Sequence, residues 1–192
     1  MKESLDNEQS DEELAVIARD DPAAFGILME RYESKLLRYI MRLSHSTKED
    51  AEDTLQESYL KAYQSINNFD EAQSFSSWIY RIVHNATISG WRKAKARPHG
   101  NAIDVDEIFL TNITADDDIV IKVDQEITAQ RVQEILNMMD EKYRTVLILR
   151  FMEDKDYKEI SDILKKPPGT VATLLHRAKE QFGQKLAENP IV

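Results

Sequence analysis

The 192 residues include no cysteine, which excludes disulfides and thiolate metal or redox sites and suits a reducing compartment. Glycine and proline are scarce, five of each, so few turns are obligatory. Abundant Leu, Ile, Glu, Lys and Ala favour helices instead. No apolar run approaches the roughly 20 residues that a membrane span requires. The opening MKESLDNEQSDEE has no apolar core after its lysine, unlike a secretory signal. The expectation is a soluble, cytoplasmic, all-α chain holding one medium or two small domains.

Positive charge is also short overall. The net charge of −10 speaks at first against a nucleic-acid partner, until its distribution is read. Residues 1–21 carry eight acids and two bases, and residues 101–126 carry eight acids and one base. By contrast, residues 22–100 hold eleven bases against nine acids, and residues 127–192 eleven against ten. The acidity therefore lies at the N-terminus and in a central connector. Two nearly neutral segments remain, each with a local basic patch. Weak DNA binding by the isolated chain is expected.

Those two segments read as helical domains, 11–98 and 125–187, joined by a flexible acidic linker over 99–124. The linker shows no sustained period and contains Asp116, Asp117 and Asp118. In the first domain a helix starts near Asp11 with Leu14, Ile17 and Ala18. Asp21-Pro22 then caps and opens a second, whose stripe is Phe25, Leu28, Met29, Tyr32, Leu36, Leu37, Ile40 and Leu43. After a loop at Ser44–Thr47, Thr47 or Ser46 caps a third helix that ends near Asn67. It buries Ala51, Leu55, Tyr59 or Ser58, Ala62 and Ile66. Asp50, Asp53, Gln56, Glu57 and Lys61 fall largely on another face, by itself ordinary solubilising surface.

The stretch SFSSWIYRIVHNATISGWRKAKAR is the centre of the chain. Trp78, Ile82 and Ala86, and Ile79, Val83 and Ala86, recur at helical spacing. Four of the six residues from Arg92 to Arg97 are basic. Cations beside rings and amides are what an unpaired nucleic-acid strand needs. Ser89-Gly90 marks a break or flexible turn, since glycine costs a helix up to about 1 kcal/mol. Trp78 reads as core, while Tyr80 or Trp91 could touch DNA.

In the second domain, helices over 125–139 and 141–152 break at Asp140. A helix at 157–164, a turn at Lys165-Lys166-Pro167-Pro168-Gly169, and a helix from Thr170, which can cap it, form a helix-turn-helix pattern. Val171, Leu175, Ala178 and Phe182 face its core. Ala172, Thr173, His176, Arg177 and Glu180 lie towards the other side.

Together, DAEDTLQESYLKAY, SFSSWIYRIVHNATISGWRKAKAR, MDEKYRTVLILRFMEDKDYKEISDIL and PPGTVATLLHRAKEQF resemble, in that order, the blocks of the extracytoplasmic-function (ECF) sigma factors of the sigma-70 family. These are promoter-specificity subunits of bacterial RNA polymerase. The resemblance spans about residues 12–187. It implies that Asp50, Asp53, Leu55, Gln56 and Glu57 bind core polymerase, facing the coiled coil of its largest subunit. It places Asn68, Phe69, Arg81 and Asn85 around a base extruded from the −10 element, and Arg92, Lys93, Lys95 and Arg97 on backbone phosphates. Thr170, Thr173, His176, Arg177 and Lys179 enter or flank the −35 major groove, although Ala172 and Leu174 stand where relatives often carry bases. The implied partners are core RNA polymerase at its clamp and flap regions, promoter DNA, and an anti-sigma factor. No catalytic residue, cofactor or metal site is implied.

Two other classes compete with this reading. A stand-alone helix-turn-helix transcriptional regulator with a helical sensor domain would bind duplex operator DNA without polymerase. An all-α enzyme would need a reactive constellation. His45, His84, His99 and His176 are scattered, and no HExxH, Walker or nucleophile pattern occurs.

Overall fold

Short polar side chains ahead of each helix set where the first bundle turns. In a computed structural model that describes residues 9–95 and 129–189, Ser10 caps α1 (Asp11–Ile17) reciprocally. Its hydroxyl accepts the Glu13 amide at 3.1 Å, and its own amide donates to the Glu13 carboxylate at 2.9 Å. Asp21 accepts the Ala23 amide at 2.9 Å, and Pro22 opens α2 (Pro22–Ser44), where its missing N–H is not needed. His45 closes that helix at φ 55°. Thr47 then accepts the Asp50 amide at 3.0 Å to start α3 (Lys48–Ser65). A 3-10 turn, Ile66–Asn68, and a short loop lead into α4 (Phe75–Lys95).

Because α2 lies against α1, α3 and α4, its buried arc is wider than one stripe. Ile27 and Tyr39 join the expected residues, while Leu37 is only half-buried. On α3 it is Ser58 that turns inward, with its hydroxyl donating to the Thr54 carbonyl at 2.7 Å; Tyr59 is half-buried. α4 buries Phe75, Trp78, Ile79, Tyr80 and Val83. Two expectations fail on this helix. It runs without a break past Gly90, and Tyr80 is core rather than DNA-facing, its ring 5.3 Å from that of Tyr39. Ile82 and Ala86 are half-buried.

The chain divides into two compact units, the first holding residues 9–95 and the second residues 129–160 and 166–189. In the second, α5 (Ala129–Asn137) and α6 (Glu141–Leu147) meet at Asp140, and both lie against α8 (Pro168–Glu188). α6 does not stay α-helical to Met152. It widens into a π turn, Ile148–Met152, in which the Glu153 amide reaches back five residues to the Ile148 carbonyl at 3.0 Å. α7 (Tyr157–Leu164) opens on a reciprocal cap between Asp156 and Glu159. Lys165, at φ 51°, turns the chain towards α8. That helix begins two residues earlier than expected, with Pro168 in its first turn, so Thr170 lies inside it and is not its cap. Val171, Leu175, Ala178 and Phe182 form its buried line, as the spacing predicts. Among the described residues every regular element is helical.

Candidate nucleic-acid interface

Helical geometry decides which polar residues of α4 can act together. Arg81, Asn85 and Arg92 fall within about 40° of one another around the axis, at 100° per residue. Asn85, Arg92 and Lys93 are exposed, and Arg81 is half-buried. Lys95 is the last residue of the helix, and Arg97 lies outside the described residues. As far as Lys95, the basic run thus continues the helix.

The loop before α4 approaches the same face. Gln73 accepts a hydrogen bond from Arg81 Nη1 at 3.4 Å and turns its amide towards Asp70 Oδ2, also at 3.4 Å. Asp70 Oδ1 accepts the Ala72 amide at 3.0 Å, and these two bonds hold its carboxyl below the usual carboxylate range. Asn68 is exposed at the end of the 3-10 turn. Phe69, expected at the extruded base, is instead 3% exposed. Its ring stands edge-on to Phe75 at 5.7 Å and to Trp78 at 5.5 Å, so it forms the floor of the loop. Gln73 was not singled out from sequence; the signal available was a polar residue just before the start of α4.

The acidic face is a property of α3. Asp50, Asp53, Gln56 and Glu57 are exposed together. Leu55 is not among them. At 4% exposure it belongs to the core line with Ala51 and Ala62. The most exposed apolar residue on this face is Leu60, 64% exposed and opposite the buried line, among Asp53, Gln56 and Glu57. A single apolar residue amid four polar ones is a weak signal in the sequence.

On α8, Thr170, Thr173, His176 and Arg177 are exposed on a common side. Thr173 donates to the Gly169 carbonyl at 2.9 Å, and Glu180 lies 3.5 Å from His176 Nε2. Lys179 departs from this group. It is about 180° around the helix from Thr170, and its ammonium stands 5.4 Å over the Phe151 ring. Leu174 is half-buried. Among the described residues no three His, Cys, Asp or Glu side chains are grouped so as to hold a metal ion.

The chain matches the family Sigma-70 region 2 over residues 28–97 and the family Sigma-70, region 4 over residues 129–182. It is 35% identical over 179 residues to the ECF RNA polymerase sigma factor SigW of Bacillus subtilis, covering 90% of this chain and 94% of that one. To the RNA polymerase sigma-H factor of Pseudomonas aeruginosa it is 30% identical over 189 residues, covering 95% and 96%. Among solved structures, CnrH in complex with the cytosolic domain of CnrY aligns with a TM-score of 0.70 at 19% identity, over 95% of this chain and 100% of that one. The sigma factor RpoE of Bartonella quintana, in complex with the anti-sigma factor NepR, aligns at 0.62 and 21%, over 86% and 98%. These two structural likenesses bear on the fold.

Proposed function

Because the chain belongs to the ECF group of the sigma-70 family, we propose that it is a dissociable initiation factor that brings core RNA polymerase to promoters and helps part the strands at the −10 element. The factor performs no covalent chemistry; nucleotidyl transfer belongs to the polymerase. It works in the cytoplasm, and no helix among the described residues is long and apolar enough to cross a membrane. Residues 11–98 bind polymerase and the −10 strand, 125–187 bind the −35 duplex, and 99–124, outside the described residues, link them.

The observation that carries this reading is the polar line of Arg81, Asn85 and Arg92 along α4, joined through Gln73 to the loop that follows Asn68, with the buried Phe69, Phe75 and Trp78 rings beneath that loop. Extruding a base costs a few kcal/mol, which amide hydrogen bonds and contact with flat groups can return. Arg92 and Lys93 add backbone attraction that carries no sequence information. Phe69 serves by holding the loop in place rather than by touching the base. On α3, Asp53, Gln56 and Glu57 ring the exposed Leu60, an arrangement suited to docking on the polymerase clamp. On α8, Arg177 is the side chain best suited to a guanine edge or a phosphate, with Thr170, Thr173 and His176 beside it. Lys179 lies towards the flank, over the Phe151 ring. Region 4 also meets the polymerase flap, and an anti-sigma factor covers these faces when the factor is held inactive.

The test is transcription in vitro from a fragment library, with purified core polymerase and with the chain omitted. Start sites that depend on the chain are expected. Replacing Asp53 and Gln56 together abolishes co-purification with core polymerase while leaving the fold intact. Tight, specific duplex binding by the free chain, with no retention on polymerase, would turn the reading into that of a stand-alone regulator.

A further inference from the structure

The loop between Asn68 and Phe75 is held from behind by α1, at both ends. Arg19, just past that helix, donates from Nη2 to the Phe69 carbonyl at 2.9 Å and from Nη1 to Glu71 Oε1 at 3.0 Å. Glu12, within it, accepts the Phe75 amide at 2.9 Å and so satisfies the first backbone donor of α4. α1 is itself fixed to the bundle, since Asp11 accepts from Arg31 at 2.7 Å and from the Tyr32 hydroxyl at 2.5 Å. Leu14 and Ala15 are fully buried beneath it.

These bonds lead directly to the reading face. Arg19 fixes the peptide plane that follows Asn68 and Phe69. From there the Asp70 turn passes to Gln73, and Gln73 to Arg81. The two arms of Arg19 are unequal. The Glu71 carboxylate is 59% exposed, so that ion pair is screened by water and weak, whereas the bond to the carbonyl is sheltered. The buried rings of Phe69, Phe75 and Trp78 already anchor the loop's apolar side to the core. What Arg19 adds is the orientation of the polar side.

We propose that Arg19 is a positioning residue for base recognition: through the Phe69 carbonyl it sets where Asn68 and Arg81 stand, and α1 is the brace through which it acts. The proposal rests on the assignment of this loop to the −10 strand. Discrimination between bases depends on donors and acceptors meeting within narrow distances and angles. A loop freed from its brace still binds a strand through Arg92 and Lys93, but it reads that strand less sharply.

The experiment uses holoenzyme assembled from core polymerase and the full chain, with a fluorescent single-stranded DNA library randomised at four central positions as probe. Arg19→Ala, Arg19→Lys and Glu71→Ala are compared with the unaltered chain. Hydrogen exchange of residues 69–75 and polymerase affinity are measured in parallel. Arg19→Ala should cut the preference for the best base over the others by about tenfold, the scale of one lost charge-assisted bond. It should speed exchange in the loop and leave polymerase affinity unchanged. Glu71→Ala should stay within about twofold of the original, and Arg19→Lys, which keeps one donor arm, should fall between. Full discrimination retained by Arg19→Ala overturns the proposal. So does an equal loss of polymerase binding, which would make Arg19 a general stabiliser. An unaltered holoenzyme with no base preference removes the −10 assignment itself, and the brace with it.

Discussion

The Tyr39 hydroxyl lies 2.9 Å from Nδ1 of His84, joining the middle of α2 to the turn of α4 that carries Asn85. The Tyr39 ring is fully buried, so its polar end depends on such a partner inside the bundle. Tyr39→Phe keeps the ring and removes the bond. Urea unfolding should show a loss of about 1 kcal/mol. A midpoint equal to that of the unaltered chain would remove the bond from any account of how α4 is placed.

Asn85 is exposed and has little to do for the fold. Asn85→Ala should therefore leave thermal stability within about 0.5 kcal/mol of the original and leave polymerase binding intact. Transcription from a duplex promoter should fall by about tenfold or more, the value of lost base-specific hydrogen bonds. Equal activity on matched promoters would take Asn85 out of the recognition face.

How much of this was legible beforehand follows from how local each cause is. The caps at Asp21 and Thr47 are written within three residues of the helices they start, so Asp21 is legible from sequence outright and Thr47 as one of two candidates with Ser46. The core line of α8, Val171 to Phe182, follows from period alone. The inward turn of Tyr39 and Tyr80 does not. Helices flanked on several sides bury more than one stripe, and a polar-tipped ring can go either way until its partner is known. Phe69 and Leu55 were assigned to contacts by resemblance, yet packing claims both. The bond from Glu12 to Phe75 joins residues 63 apart, and no pattern in the chain announces it. The expected start of α8 at Thr170 is late because it takes Pro168 as a turn residue, when proline also suits a helix's first turn.

Leu60 is the clearest residue that the polar pattern of α3 hid. It is 64% exposed, so Leu60→Gln should not destabilise the chain and is expected to raise its solubility slightly. If the face docks on polymerase, an apolar contact in its middle contributes strongly. Retention of the chain on immobilised core polymerase should weaken about tenfold. Unchanged retention would place the docking contact elsewhere on α3.

Lys165 takes φ 51° between α7 and α8, a conformation that costs a side chain with a Cβ roughly 1–2 kcal/mol. The residue is exposed. Lys165→Gly relieves that strain but gives the unfolded chain more freedom, so the expected gain is smaller, about 0.5 kcal/mol. Thermal denaturation monitored by circular dichroism measures it. A clear loss of stability would mean that the side chain contributes more than its backbone costs.

Two tyrosines make stability depend on alkaline pH. Burial is the main force raising the Tyr32 phenol above its ordinary range, helped by the hydrogen bond to Asp11; burial and nearby Glu33 do the same for Tyr59. In the unfolded chain both phenols ionise near pH ~10. Above that pH the unfolded state loses protons that the folded state still holds. The stabilising contribution is therefore complete below pH ~10 and declines as pH rises beyond it towards the raised folded-state values. Urea midpoints measured between about pH 8 and 11 should fall steeply at the upper end. Tyr32→Phe and Tyr59→Phe should each flatten that fall, Tyr32 more so because it is only 7% exposed. Each variant should begin from a lower plateau at neutral pH, having lost a hydrogen bond to Asp11 or to the Met29 carbonyl. If the double variant falls as steeply as the original chain, the alkaline sensitivity arises elsewhere.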